Sequence, residues 1–325
     1  MIAEFLRKIF PSDAAHIQSW QPQRHTFLQD PKMTDTLHNE GFCVAGTLES
    51  DQVEKLKELY AALHNFQSPE GGMFYSVYSR DLDYRKKVHQ GIEQILKPVY
   101  DSLFTDYKSI LNSYIVKVSG PGSEFSLHQD STGLDETKYS CLSVWIPLQD
   151  TDTDNGCMFV MPRSHKMFSP YRGISFPQPF DNIQPIIRKY LKPVELKRGD
   201  ILLFDNRIVH TSVANLSDQD RIVVMSGIFP QEAPFISCYK DMSDPANPIE
   251  LIEQPEDYLL TFENFFHDCT CRPETGRSVG FVRWNTDQMS EKQFLSLCEK
   301  YDVREINHSS VIHSSAQMNI IGEPV

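Results

Sequence analysis

The stretch Leu127-His128-Gln129-Asp130 sets a histidine and a carboxylate at i and i+2. Side chains of an extended strand alternate with period two, so His128 and Asp130 leave the same face. Downstream, Gly199-Asp200-Ile201-Leu202-Leu203-Phe204-Asp205 reads as a turn and a buried strand that leads to His210-Thr211-Ser212. Arg221 then opens another strand, 221–229. Two histidines and one carboxylate occupy one face of an octahedral metal and leave three positions open, the arrangement of non-haem Fe(II) oxygenases. A lone His-x-Asp carries little weight. It gains weight from the second histidine and the arginine that follow it.

With those residues in view, the chain resembles the phytanoyl-CoA dioxygenase family of Fe(II)/2-oxoglutarate-dependent oxygenases. The likeness runs from about residue 39 to 229. It takes in Glu40-Gly41-Phe42-Cys43-Val44, His128-Gln129-Asp130, Trp145-Ile146-Pro147-Leu148, Asn155-Gly156-Cys157-Met158 and Pro162-Arg163-Ser164-His165-Lys166, then His210 and Arg221. The family usually carries glycine before Ser-His-Lys; Arg163 stands there instead. The resemblance implies a double-stranded β-helix, a jelly-roll, cupin-like barrel whose mouth holds Fe(II), with 2-oxoglutarate and O₂ as cosubstrates.

Composition agrees with a globular enzyme. The 325 residues are 40% hydrophobic and 23% charged, enough for a substantial core. No run of 18 apolar residues occurs, and the N-terminus has no long apolar stretch, so neither a membrane span nor a signal peptide is expected. Seven cysteines, scattered and odd in number, fit reduced thiols and a cytoplasmic setting. A net charge of −13 argues against nucleic-acid and anionic-membrane partners, and mildly against a polyanionic acyl-CoA. The expected partner is a small-molecule substrate, the expected assembly a monomer or homodimer.

Along the chain, a short amphipathic helix is expected over 2–10, followed by an irregular wrap, a strand over 41–45, and helices over 51–64 and 84–104. Ser50 is the candidate cap of the first long helix, and Pro98 a possible kink in the second. Short β-branched or aromatic runs predict strands over 113–118, 140–148, 156–161, 194–197, 201–204 and 222–229. Many short strands between turn signals mean a sandwich or barrel. The fold class is thus mainly β with flanking helices. A single catalytic domain is expected: a helical N-terminal region to 110, a jelly-roll core over 111–230 with a lid-like insertion over 166–192, and a helical extension over 231–325. Helices are expected there over 258–266 and 291–301, the second capped by Ser290 and Gln293.

Each candidate residue also has a plainer reading. His128, Asp130 and His210 would individually more often be structural; together with their context they are the metal ligands. Their histidines must be neutral and Asp130 ionised, so metal binding should weaken as pH falls. Arg221 would otherwise be a surface strand arginine; at the head of a strand beside the metal it can pair two-point with the distal carboxylate of 2-oxoglutarate. Ser212 shares a strand face with His210, and by the resemblance is a hydroxyl donor to that carboxylate. Trp145 matches a position lining the cosubstrate pocket, yet a strand tryptophan is as often plain core. Lys117 and Tyr114 lie on opposite faces of the strand before the motif; either can reach the cosubstrate, and parity leaves the choice open. Arg80, Arg163 and Arg172 are candidates for the pocket rim. His165 and Lys166 read as structural, the cysteines of His267-Asp268-Cys269-Thr270-Cys271 as ordinary thiols, and 150–156 as a solvated turn rather than a Ca²⁺ loop.

The expected activity is hydroxylation of an aliphatic C–H of a small molecule, with desaturation a possible variant outcome. The competing expectation is a non-catalytic jelly-roll protein that binds a metal or small molecule.

Overall fold

Alternation along the strands decides the layering. In Leu142–Pro147, Val144 and Ile146 face a helical layer and Trp145 faces the opposite side, a split seen in the two separate cores these residues join. The computed structural model describes residues 20–64, 72–263 and 268–306. The expected helix over 2–10 lies outside them.

The elements, in chain order, are α1 (Pro31–Glu40), β1 (Phe42–Thr47), α2 (Ser50–Leu63), β2 (Met73–Tyr75), α3 (Leu82–Leu103), β3 (Tyr107–Lys117), β4 (Phe125–His128), β5 (Leu142–Pro147), β6 (Met158–Val160), the single turn α4 (Gln184–Ile187), β7 (Lys192–Val194), β8 (Asp200–Asp205), β9 (His210–Ser212), β10 (Arg221–Pro230), β11 (Ile236–Tyr239), β12 (Ile249–Glu253), the single turn α5 (Tyr258–Thr261), β13 (Arg277–Val282) and α6 (Glu291–Lys300). A six-stranded antiparallel sheet in the order β1-β8-β5-β10-β3-β2 faces a four-stranded sheet in the order β4-β9-β6-β7. Their inner faces share one apolar core, Trp145, Leu202, Phe204 and Val223 from the larger sheet against Met158, Val160 and Val194 from the smaller. This is the jelly-roll arrangement.

Helices α2 and α3 cover the outer face of the larger sheet. Val53, Leu56, Val88, Ile92 and Leu96 pack there against Tyr114, Val144, Ile146 and Val224. Pro98 lies inside α3, which is assigned as helix from Leu82 to Leu103. The cap of α2 is Glu49, in a reciprocal box with Gln52, and Ser50 is the first helical residue. The irregular wrap expected before residue 39 instead contains α1: the Asp30 side chain accepts from Lys32 N and Pro31 occupies the first turn, where its missing N–H costs nothing. Gly41 ends α1 at φ +87, and a Cβ there would lie 2.6 Å from His165 Nδ1, so glycine suits the position twice over.

Two expectations about the second half need correction. Among the described residues the extension after 230 is mixed rather than helical: β11, β12 and β13 form a three-stranded sheet beside the helices α5 and α6. The α6 box between Ser290 and Gln293 is as the spacing predicted. Most of the insertion over 166–192 does not roof the barrel. Phe168, Phe180, Ile183 and Ile187 join Leu127, Phe159 and Val209 of the smaller sheet's strands and adjoining turn, together with Phe294 and Cys298 of α6. No helix among the described residues is long and apolar enough to cross a membrane.

Candidate active site

The ends of two short strands carry the chemistry. His128 ends β4, His210 begins β9, and the antiparallel register sets them directly opposite each other, with ring centroids 4.2 Å apart. Asp130 lies two residues past β4; its Oδ1 is 3.5 Å from His128 Nε2 and 3.9 Å from His210 Nε2. One ligand atom from each of the three falls within 4.8 Å of the others, the spacing of a shared metal ion.

Backbone carbonyls set the tautomers. His128 Nδ1 is 2.8 Å from Ser126 O, and His210 Nδ1 is 3.0 Å from Ile208 O. A carbonyl only accepts, so each Nδ1 carries the proton and each Nε2 presents its lone pair to the common point. Burial, reinforced by His128, pushes His210 down to about 4 despite the opposing pull of Asp130. Burial would raise the Asp130 carboxyl, but its place beside His128 and His210 outweighs this and holds it below its usual range. Neutral imidazoles and an ionised carboxylate are the states a divalent metal requires.

The loop bearing Asp130 is tied down on three sides. Its N–H donates to Asn206 O (3.2 Å), its carbonyl accepts from Arg172 Nε (2.7 Å), and its Oδ2 accepts from Ser143 Oγ (3.4 Å). Ser143 Oγ also lies 3.1 Å from Asn206 Oδ1, so the two acceptors share its one hydroxyl proton. Arg172, a rim candidate by sequence, is buried and bound two-point to Glu136 at 2.7 and 2.6 Å.

The larger sheet carries a buried basic pair. Arg221 and Lys117 are register partners across β10 and β3, exposed by only 2% and 0%. Arg221 Nε and Nη1 have no hydrogen-bond partner, and its Cζ stands 5.4 Å from the Trp145 ring centroid. Burial pushes Arg221 down to about 10. Lys117 Nζ donates to the carbonyls of Ser212 (3.0 Å) and Val213, which fastens the pair to the strand that begins with His210. Burial, then Arg221, pushes Lys117 down to about 6. Among the described residues no carboxylate is bonded to this buried basic pair, and the Arg221 guanidinium calls for an anion. A dicarboxylic 2-oxo acid fits this requirement, and the facial triad fits iron.

Of the residues singled out by sequence, the structure brings together His128, Asp130 and His210, and separately gathers Arg221, Lys117 and Trp145. Ser212 sits two residues past His210 on the same strand face. Tyr114 does not join them. It is fully buried on the helical side of β3, where its hydroxyl donates to Leu56 O (2.6 Å), because its parity is opposite to that of Lys117. Arg80 is exposed just before α3. Arg163 adopts φ +67, which accounts for the glycine usual at that place; the side chain pairs with Glu40 (3.0 Å) and Asp302 (3.0 Å). His165 is buried, with Nε2 3.1 Å from His38 O, and Lys166 Nζ donates to Asn39 O. Tyr75, Phe125, Ser143 and Asn206 went unread. Tyr75 follows the Gly71-Gly72 break, and the alternation in Met73-Phe74-Tyr75 was the available signal: Phe74 packs under the helices, and Tyr75 faces Phe125.

Comparison with known proteins agrees with this geometry. Residues 37–223 match the family model Phytanoyl-CoA dioxygenase (PhyH). "Phytanoyl-CoA dioxygenase 1" of Oryza sativa subsp. japonica is 36% identical over 115 residues, 34% of this chain and 41% of that protein. "Phytanoyl-CoA dioxygenase domain-containing protein 1 homolog" of Dictyostelium discoideum is 30% identical over 149 residues, 43% of this chain and 50% of that protein. The matched part thus spans half or less of either relative's length. Among solved structures, the epimerase SnoN in complex with Fe3+, alpha ketoglutarate and nogalamycin RO is 19% identical at a TM-score of 0.47, covering 80% of this chain and 96% of that one. HygX from Streptomyces hygroscopicus, with nickel and 2-oxoglutarate bound, is 17% identical at 0.45, covering 62% and 88%. The chain belongs to the phytanoyl-CoA dioxygenase (PhyH) family.

Proposed function

We propose that this family member is an Fe(II)- and 2-oxoglutarate-dependent oxygenase that hydroxylates an aliphatic C–H of a small molecule. The observation that carries the reading is the unpaired, buried Arg221 guanidinium in the same barrel as the His128–Asp130–His210 triad. A site for metal alone has no use for a second, anion-seeking pocket.

His128, Asp130 and His210 would hold the iron. Arg221, with Lys117 across the ladder and the Ser212 hydroxyl, would hold the distal carboxylate of 2-oxoglutarate. Iron held there would activate O₂, the oxidant: one oxygen atom would enter the substrate C–H bond and the other the succinate that 2-oxoglutarate becomes on losing CO₂. The protein's own part is orientation and exclusion of water. The Nδ1–carbonyl bonds fix both imidazoles, Ser143 and Arg172 fix Asp130, and Trp145 walls the cosubstrate side. A reducing, cytoplasmic setting suits seven free thiols and an oxidisable ferrous ion.

The test is anaerobic titration of the purified chain with Fe(II) and 2-oxoglutarate, followed by oxygen exposure. A charge-transfer absorbance band and succinate formation are expected. Iron binding without either would favour a non-catalytic metal-binding jelly roll.

A further inference from the structure

A cavity of about 320 Å³ borders the loop that follows the metal ligand Asp130, within the usual range of small-molecule sites of roughly 300–1,000 Å³. Its near wall is Ser131 and Thr132, the two residues after Asp130, with Arg172, whose Nε holds the Asp130 carbonyl. A run of aromatic rings leads outward from the metal ligand His128. Phe125 is 4.5 Å from His128, Tyr75 5.8 Å from Phe125, Tyr78 5.4 Å from Tyr75, and Phe262 of the cavity wall 6.1 Å from Tyr78, all between ring centroids. The far wall is β11 with residues from 258–263 and 268–275. All of it lies beyond the family-matched residues 37–223, so family membership says nothing about what it accepts.

The charge of the lining is selective. Among the described residues that line the cavity, Arg172 is the one cation, and its N–H groups are given to Asp130 O, Ser169 O and both Glu136 oxygens. The remaining charged lining residues are the carboxylates Glu263, Asp268 and Glu274. Two arginines on flanking segments are turned to other partners: Arg85 stacks on Phe262 and donates to its carbonyl, and Arg272 binds Glu250 two-point. A phosphate or carboxylate placed here would lose its hydration and meet like charge. Tyr258, Leu259, Phe235 and Phe262 offer an apolar surface in exchange.

We propose that this cavity is the substrate chamber and that the substrate is a free, non-anionic small molecule with an apolar body, not a coenzyme-A thioester. That the bound molecule is the substrate rests on the oxygenase reading above; the selectivity of the cavity does not. The chamber's specificity resides in the C-terminal extension, and the family-matched core supplies the cofactor pocket.

The experiment uses the full-length chain with Fe(II) and 2-oxoglutarate under anaerobic conditions, and the neutral naphthalene dye Prodan as fluorescent probe. Competitors share a ten-carbon body and differ in the head: decan-1-ol, decylamine, decyl phosphate and decanoyl-CoA. Decanol and decylamine should displace the dye, and the two phosphorylated compounds should do so at least tenfold more weakly, about 1.4 kcal/mol. Ile174→Trp, at a half-exposed lining position, and Leu259→Trp should each fill the chamber and weaken Prodan at least tenfold, with the 2-oxoglutarate titration unchanged. Equal displacement by decanoyl-CoA overturns the proposal. So does wild-type dye affinity in both folded tryptophan variants, or a wild-type chain that binds none of these probes. The charge-transfer band in the same sample separates the two claims: its absence beside the expected dye series counts against the cofactor reading alone.

Discussion

Arg221 stands directly opposite Lys117 across the β10–β3 ladder, both are buried, and among the described residues no carboxylate is bonded to either. Burial and the adjacent guanidinium disfavour the Lys117 ammonium until an anion arrives. Most of what can be tested about the cosubstrate follows from this pair.

Arg221→Ala should raise the 2-oxoglutarate concentration needed for half-saturation by about 10- to 150-fold, from the roughly 1.5–3 kcal/mol of a charged hydrogen bond. Iron affinity should change little. Arg221→Lys should recover only part, because an ammonium lacks the planar two-point contact. Anaerobic titration at saturating Fe(II) measures this, and wild-type behaviour of Arg221→Ala would remove it as the clamp.

Lys117 predicts a pH dependence. In the cosubstrate-free barrel, burial and Arg221 bring it down to about 6, so it is mostly neutral at pH 7.5. A docked carboxylate favours the ammonium and raises that value, so binding takes up a proton between the two. Affinity should therefore be flat below pH 6 and weaken as pH rises above it. Calorimetry at pH 7.5 in two buffers of different ionisation enthalpy should show proton uptake, absent in Lys117→Met. No uptake in wild type would exclude Lys117 as a partner of the carboxylate.

His128→Ala and His210→Ala should abolish iron binding and succinate formation. Both sit in a barrel already held by its apolar cores, so the melting midpoint should move only a few degrees, the shift expected for about 1 kcal/mol. Retained stoichiometric iron in either variant would refute the ligand assignment.

Arg172→Met leaves Glu136 buried without its partner, which costs about 3–5 kcal/mol. The double variant Arg172→Met/Glu136→Leu should recover much of that loss in urea unfolding, while iron binding stays weakened because the Asp130 carbonyl still lacks its donor. A double variant as unstable as the single would show that the pair itself is not the source.

Tyr114→Phe removes one buried hydrogen bond and should cost about 0.5–1.5 kcal/mol in the same measurement. The 2-oxoglutarate titration should not change. A shift there would return Tyr114 to the cosubstrate pocket.

Much of this site was legible in one dimension. His128 and Asp130 share a face because a strand's period is two, and Asn155-Gly156, Gly199 and the apolar runs mark turns and strands by local backbone preference. The α6 cap was legible for the same reason: Ser290 and Gln293 meet within one turn. Asp30-Pro31 carried an equally local signal for α1, which was passed over. These are properties of neighbours in the chain, and neighbours are what a sequence displays.

What the fold alone decided are the meetings of distant residues. Tyr114 and Lys117 are equally good candidates until helices α2 and α3 cover one face of β3, which buries the tyrosine under Leu56 and turns the lysine toward Arg221. The insertion over 166–192 could roof the mouth or clad the barrel; its phenylalanines went to the smaller sheet because α6 provides apolar surface there. Ser143, Asn206 and Arg172 have no motif, since each acts through a contact spanning 13 to 63 residues of chain. Local spacing by itself determined that His128 and Asp130 share a face; strand pairing in the fold brought His210 across to them. Which cations face the cosubstrate, and which walls face the substrate, was decided by tertiary packing, because burial and charge pairing are properties of a neighbourhood assembled only on folding.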